Sequence, residues 1–452
     1  MTRSSSDSAG PNSLERSPPL DPERALELIL QDARPLGLET VPLDEADGRA
    51  AARDVRARAP LPAWDNSAKD GYAVRASDLA GAAAIPGAPV GLGVAGEVAA
   101  GEPPGAGLPP GTTLRIMTGA PLPAGADAVV PVEETAGPGG DGAFAATGER
   151  VAFSSPPVAG ANVRRAGADV ASGERVLRAG ETLTPGRVAL LAALGLGQVD
   201  VTRRPRVLVI PTGDELVEPG GEAPPGRLYS SNAHGLAALA RRAGCAARAL
   251  PIVPDDPLRI RAAVHEALLA AEVVLTSGGV SAGRHDHVRG VLAEAAGGLV
   301  FQGVRMRPGQ PLVFARTADL PGVGRVDTRY LFGLPGNPTS ALVTCLEFVR
   351  PLLRRLAGFS ELFLPTLRAR LTEPVRSEAG RRSFLRVRLQ RDGAGGFTAA
   401  PAGDQGSGHL RPLADAHGLL VCGPERTQLG AGEEVLVQLL GDPPGASRPW
   451  AP

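Results

Sequence analysis

The chain has 452 residues, length for about three or four domains, and its 43% apolar content supports real cores. A formal net charge of −1 excludes electrostatic attraction to nucleic acid or to an acidic membrane surface. No apolar run is long enough to span a bilayer, and Cys245, Cys345 and Cys422 are too widely spaced for a disulfide framework or a metal motif, so a reducing cytoplasm is expected.

Residues 1–19 are rich in Ser and Pro without an apolar h-region, and read as a disordered leader. Asp21 and Pro22 then open a helix whose stripe is Leu26, Ile29 and Leu30. Leu43 to Ala59 continues with helical character. From Pro60 the chain turns dense in Pro and Gly, with short alternating runs at Thr113–Met117 and Ala128–Val132, which predicts a small β domain over 60–161. Two polar islands stand out in it, Asp65-Asn66-Ser67-Ala68-Lys69-Asp70-Gly71-Tyr72-Ala73 and Arg115-Ile116-Met117-Thr118-Gly119-Ala120-Pro121. An apolar segment from Pro185 to Leu196 returns the chain to its first domain. The expected arrangement is a split N-terminal domain, 20–59 with 162–203, holding the β module as an insertion.

Residues 204–358 alternate strands with helices and predict a central doubly wound α/β domain. Its core is Val273 to Leu292, where an apolar strand runs into Ser277-Gly278-Gly279 and then a helix. Adjacent glycines let backbone N–H groups face an anion, and Ser277 and Ser281 add hydroxyls, so the stretch reads as a phosphate cradle. Residues 359–440 alternate with period two between glycine turns, as a C-terminal β barrel or sandwich would, and 441–452 form a tail.

In a doubly wound sheet ligands sit beyond the carboxyl ends of the strands. Asp214 and Glu215 follow the first strand, Asp255 and Asp256 the second, and Asp286 comes just past the third. Carboxylates so close repel each other and a phosphate unless a divalent cation lies among them, and oxygen ligands beside phosphate favour Mg2+. Asn337 and Pro338 open a helix toward the same edge. His285 and His287 lack a third soft ligand at zinc spacing.

Taken in order, DNSAKDGYA, RIMTGAPLPAGADAVV, PTGDEL, SGGVSAG with Asp286, GLPGNPTSA and QGSGHL resemble the molybdopterin molybdenumtransferase family, which includes MoeA and the gephyrin E-domain. The resemblance covers about Leu20 to Leu440. It implies a homodimer of four-domain subunits whose cleft lies between the α/β domain of one and the proline-rich domain of the other. It implies substrates, adenylylated molybdopterin and molybdate, that yield molybdenum cofactor and AMP with Mg2+. A molybdopterin adenylyltransferase is the implied supplying partner.

Position by position, the resemblance implies catalytic roles for Asp70, Thr118, Glu215, Asp255 and Asp286, with Glu215 and Asp286 as metal ligands. It implies substrate contacts from Arg164, Asp169, Ser277, Gly278, Gly279, Ser281, Arg307, Pro335, Gly336, Asn337, Pro338, Ser340, Arg381 and Ser407. Departures from the family pattern are Lys69, the only lysine, where Met is usual, and Arg307 and Gln310 where lysines are common; Gln310 loses a charge. Arg284 and His285 also stand where the family is often acidic or aromatic. Two other readings compete: a molybdopterin adenylyltransferase, which would need neither β module, and a non-catalytic scaffold carrying the cofactor.

Overall fold

The structure is a computed structural model that describes residues 18–83, 89–101, 107–280, 287–317, 328–393 and 395–445. The expected leader and tail lie largely outside the described residues, as do Ser281 and Asp286.

Helix α1 (Pro22–Leu30) starts on Pro22 as the sequence predicts, but its buried face, Ala25 and Ile29, joins the core of the α/β domain. Leu20 there donates its N–H to the Gly303 carbonyl at 3.0 Å. Strand β1 (Leu38–Pro42) follows. The helical character expected over Leu43–Ala59 is limited to a single 3-10 turn, Leu43–Glu45. Beyond it Ala50 and Ala51 form bridges to Thr182 and Val201, because strand partners far along the chain outweigh the local preference of alanine and glutamate for helix. Helix α2 (Pro185–Ala193) leads to β2 (Gln198–Thr202), which pairs antiparallel with β1, Leu38 facing Thr202. The segment between carries a seven-stranded sheet spanning Gly71 to Phe153, whose core includes Tyr72, Leu92, Val130 and Phe153.

The α/β domain contains β3 (Arg206–Pro211), α3 (Ser231–Arg242), β4 (Ala246–Ala249), α4 (Pro257–Ala270), β5 (Val273–Ser277), α5 (His287–Ala296), β6 (Phe301–Gln302), β7 (Val313–Arg316) and β8 (Tyr330–Leu334). Its sheet has the order β4-β3-β5-β8-β7-β6. The first four strands are parallel, and the edge formed by β7 and β6 is antiparallel, which departs from the all-parallel expectation. Alternation sorts the two faces: Val207, Val209, Val273 and Leu275 pack on α1 and α3, while Leu208, Ile210 and Val274 pack on α4 and α5. The chain leaves β3 for β4 on one side and returns to β5 on the other, so a topological switch point lies between the ends of β3 and β5.

The helix that Asn337 and Pro338 open does not run on as one regular helix to Leu356. Instead α6 (Pro338–Thr344) passes through a π-helical turn, Cys345–Val349, into α7 (Arg350–Leu356). The C-terminal domain is a barrel, not a sandwich. Its strands β9 (Thr366–Leu371), β10 (Arg382–Arg391), β11 (Phe397–Pro401), β12 (Gly418–Cys422) and β13 (Glu434–Leu439) close through the β10–β12 pairing. The barrel also captures Met306–Arg307 of the α/β domain, which pairs with Arg382–Ser383 of β10.

Candidate active site at the sheet switch point

A cavity of about 400 Å³ opens at the switch point, lined by Thr212, Glu215, Leu228, Tyr229, Ser230, Asn232, Ser277, Gly278, Gly336, Asn337, Pro338 and Gly408. The ends of β3 and β5 are joined there by the Thr212 N–H, which donates to the Ser277 carbonyl at 3.1 Å. Gly278 and Gly279 have φ of 105° and 62°, and a Cβ on either would lie 2.6 Å from the Thr212 carbonyl oxygen or from Cγ2 of Val288 respectively. The pair is therefore required by packing of the turn onto the end of the neighbouring strand β3 and onto its own helix, not only by approach of a ligand. Gly336 is the glycine with open space, its nearest atom being Cα of Gly278 at 3.9 Å.

Asn232, at the start of α3, ties the two walls. Its Nδ2 donates to Ser277 Oγ at 2.9 Å and to the Gly336 carbonyl at 2.7 Å. Tyr229 projects into the cavity half exposed, with its hydroxyl fixed on the Gly221 carbonyl at 2.8 Å. The lining thus combines hydroxyl, amide and backbone groups with an apolar shelf of Leu228 and Tyr229. Such a space suits a flat heterocycle carrying an anionic group.

Glu215 lines the cavity with an exposed carboxylate that has no hydrogen-bond or ion-pair partner among the described residues. Leu228 N–H donates to its carbonyl at 2.8 Å and fixes its backbone. Asp255 lies at the neighbouring strand end, where its N–H donates to Asp214 Oδ1 at 3.2 Å. Asp256 is absorbed as the cap of α4, accepting from Arg259 N–H at 2.8 Å. Glu215 and Asp255 thus share an edge as expected, but no group of three carboxylate, His or Cys side chains with metal-binding arrangement occurs among the described residues. Exposed, oxygen-only donors do fit a hard divalent cation.

Asn337 was expected to cap α6. It occupies the cap position without a capping bond, and its Nδ2 donates instead to Ser407 Oγ at 3.0 Å. Ser407 is thereby brought to the cavity, and Gly408 lines it. Pro335 and Ser340 are buried behind this wall, and neither lines the cavity. Arg307 and Arg381 converge on one carboxylate, Glu378, with Arg381 Nη1 at 3.5 Å. Their charges are partly engaged in the barrel seam.

The remaining predicted residues lie in the N-terminal modules and do not reach this cavity within one chain. Asp70 Oδ1 accepts from both N–H and Oγ1 of Thr118 at 2.7 Å, and these bonds hold its carboxyl below the usual range. Arg164 lies opposite Asn66 in a two-residue antiparallel pair, and Asp169 N–H donates to the Leu61 carbonyl at 3.0 Å. Both remain exposed. Sequence reasoning missed Asn232, Tyr229 and Gly408 as site residues. The position of Asn232 and Tyr229 after the first strand end offered a signal, and Gly408 stands beside Ser407 in the QGSGHL motif.

Comparison with known proteins places these features. Descriptions of the MoeA N-terminal region (domain I and II), a probable molybdopterin binding domain and the MoeA C-terminal region (domain IV) match residues 20–195, 208–355 and 368–440. The chain is 41% identical over 420 residues to molybdopterin molybdenumtransferase 2 of Mycobacterium tuberculosis, covering 92% of this chain and 97% of that protein. It is 37% identical over 401 residues to the molybdopterin molybdenumtransferase of a Nostoc species, covering 88% of each. A crystal structure of a molybdopterin biosynthesis MoeA protein from Pyrococcus horikoshii superposes with a TM-score of 0.77 at 33% identity, covering 94% of this chain and 100% of that one.

Proposed function

The chain belongs to the molybdopterin molybdenumtransferase family, and from that premise we propose that it inserts molybdenum from molybdate into adenylylated molybdopterin and releases AMP. The observation that carries the reading is the cavity at the switch point, whose lining joins the polar Ser277, Gly278, Gly336 and Asn337 to the Leu228–Tyr229 shelf, beside a Glu215 carboxylate with no partner among the described residues. Ser277 and the turn backbone suit phosphate oxygens, and the shelf suits a flat ring. Asn232 keeps the walls at a fixed separation, which orients the guest before reaction.

Glu215 and Asp286 would hold Mg2+, which when bound supplies charge neutralisation for the phosphoanhydride and the departing AMP. The chain's own part is to present a carboxylate at that edge, and Glu215, exposed and without a partner among the described residues, meets that need. Arg307 and Arg381 suit a tetrahedral oxyanion by their forked donors, and Glu378 keeps both guanidinium groups in place until the anion arrives.

The reading includes a homodimer, because Asp70, Thr118, Arg164 and Asp169 do not reach the cavity of their own chain and would complete a partner's. It also includes a cytoplasmic location, supported by three buried cysteines that are all unpaired. No helix among the described residues is long and apolar enough to cross a membrane.

Incubating the pure protein with adenylylated molybdopterin, molybdate and Mg2+ tests the proposal. Stoichiometric AMP and molybdenum cofactor are expected. Binding without AMP release would show a carrier, and ATP consumption with pyrophosphate release would show an adenylyltransferase; either result would overturn the reading.

A further inference from the structure

Arg386 is 0% exposed, yet it carries a guanidinium group. Its neighbours on β10, Leu385 and Val387, face the barrel core, while Phe384 and Leu419, the cross-strand partner of Arg386, belong to the core of the α/β domain. The alternation puts Arg386 in the seam between the two domains. There its Nη2 donates to the carbonyls of Asp404 and Gly406, each at 3.1 Å. Gln405, between them, grips in the other direction: Oε1 accepts from the Arg386 N–H at 2.9 Å, and Nε2 donates to the Arg386 carbonyl at 3.1 Å.

The next residue of this loop is the one that reaches the cavity. Ser407 Oγ accepts from Asn337, its carbonyl accepts from Thr339 N–H at 3.2 Å, and Gly408 lines the cavity wall. Meanwhile Nε and Nη1 of Arg386 have no partner among the described residues. Burial pushes its pKa down to about 10; Asp404 opposes the shift, and the Arg307 charge adds to it. A buried cation with unspent donors is costly, and a well-packed apolar side chain would often serve stability better. Both N–H groups of one terminal nitrogen, Nη2, are spent on the two carbonyls, and only a side chain as long as arginine carries a donor that far.

We infer that Arg386 is a positioning residue for the transfer reaction: from the domain seam it holds the 404–408 loop, and with it Ser407 and Gly408, against the mouth of the α/β cavity. Its consequence for catalysis rests on the function proposed above, whereas the grip on the loop does not.

The full-length protein with Arg386→Lys, Arg386→Met, Ser407→Ala and the Arg386→Met/Ser407→Ala pair tests this, each variant first checked for an intact fold by circular dichroism. Hydrogen exchange over residues 403–410 should quicken by roughly tenfold or more in both Arg386 variants, while 435–439 in the barrel stays slow. Lysine should not rescue, since its ammonium ends one bond short of the Nη2 position that reaches both carbonyls. In AMP release, the KM for adenylylated molybdopterin should rise about tenfold with kcat changed by less than about threefold, for Arg386→Met and for Ser407→Ala alike. The double variant should be no worse than either single one, because both break one chain of contacts. Unchanged loop exchange, or additive losses in the double variant, would overturn the inference. Were the wild type to release no AMP, the function would fail while loop exchange still decided the grip. If Arg386→Met does not fold, Gln405→Leu, which removes the reverse grip, carries the same readouts.

Discussion

Asn232 is the brace of the cavity: one carboxamide nitrogen lies 2.9 Å from the Ser277 hydroxyl and 2.7 Å from the Gly336 carbonyl, joining loops that follow β5 and β8. Two hydrogen bonds from a single donor group fix the spacing between walls that a ligand must enter. Removing them by Asn232→Ala should cost about 1–2 kcal/mol of stability, read as a lower denaturant midpoint. The KM for the pterin substrate should rise more than kcat falls, since a loosened cleft weakens positioning.

The glycines should separate into two kinds. Gly278→Ala places a Cβ 2.6 Å from a backbone oxygen at φ 105°, and neither can yield without moving β3, so a loss of roughly 2 kcal/mol or more is expected in thermal unfolding. Gly336→Ala meets nothing nearer than 3.9 Å. It should melt like the wild type yet bind adenylylated pterin weakly, because the new methyl group occupies space in the cavity.

Glu215→Gln keeps shape and removes charge. The carboxylate is exposed and has no partner among the described residues, so the melting temperature should not move. Mg2+-dependent AMP release should drop by about 100-fold or more if Glu215 holds the ion. Retention of full Mg2+ dependence would remove it from the site.

Glu347, on the π-helical turn, provides a pH prediction. Burial pushes its pKa to about 7, with Gln438, Arg350 and Arg382 only partly opposing. Gln438 Nε2 donates to one carboxyl oxygen at 3.1 Å, and the other oxygen and Gln438 Oε1 are both buried without partners. Protonation of Glu347 removes the buried charge, and its hydrogen bond with Gln438 clasps the barrel to the α/β domain. Because the folded pKa lies above the ordinary 4.5, the folded state holds the extra proton between these values. Stability is then fully present below about pH 4.5 and is lost as pH rises toward 7, by on the order of 2 kcal/mol. Glu347→Gln should flatten that slope in melting temperatures measured from pH 5 to 8; an unchanged slope would assign it to other groups.

Much of the architecture was legible because its signals are local. The apolar run at Val273–Ser277 with two glycines after it, the Asp21-Pro22 start of α1 and the alternating strands of 366–439 all follow from neighbouring residues along the chain. The ordered motifs identified the family for the same reason. Local signals misled at Leu43–Ala59, where distant strand partners overrode helix propensity, and at Asn337, whose Nδ2 donates to Ser407 while its Oδ1 accepts no capping bond from the helix N–H groups. Nothing local marks Arg386, Glu347 or Asn232, since each owes its role to a partner 18 to 104 residues away. The sequence by itself determined which stretches become strands, turns and helices, because those choices depend on periodicity and backbone freedom. Only the tertiary structure decided which polar groups meet across domains, because hydrogen bonds at a seam depend on the packing of whole faces, and no residue carries that information alone.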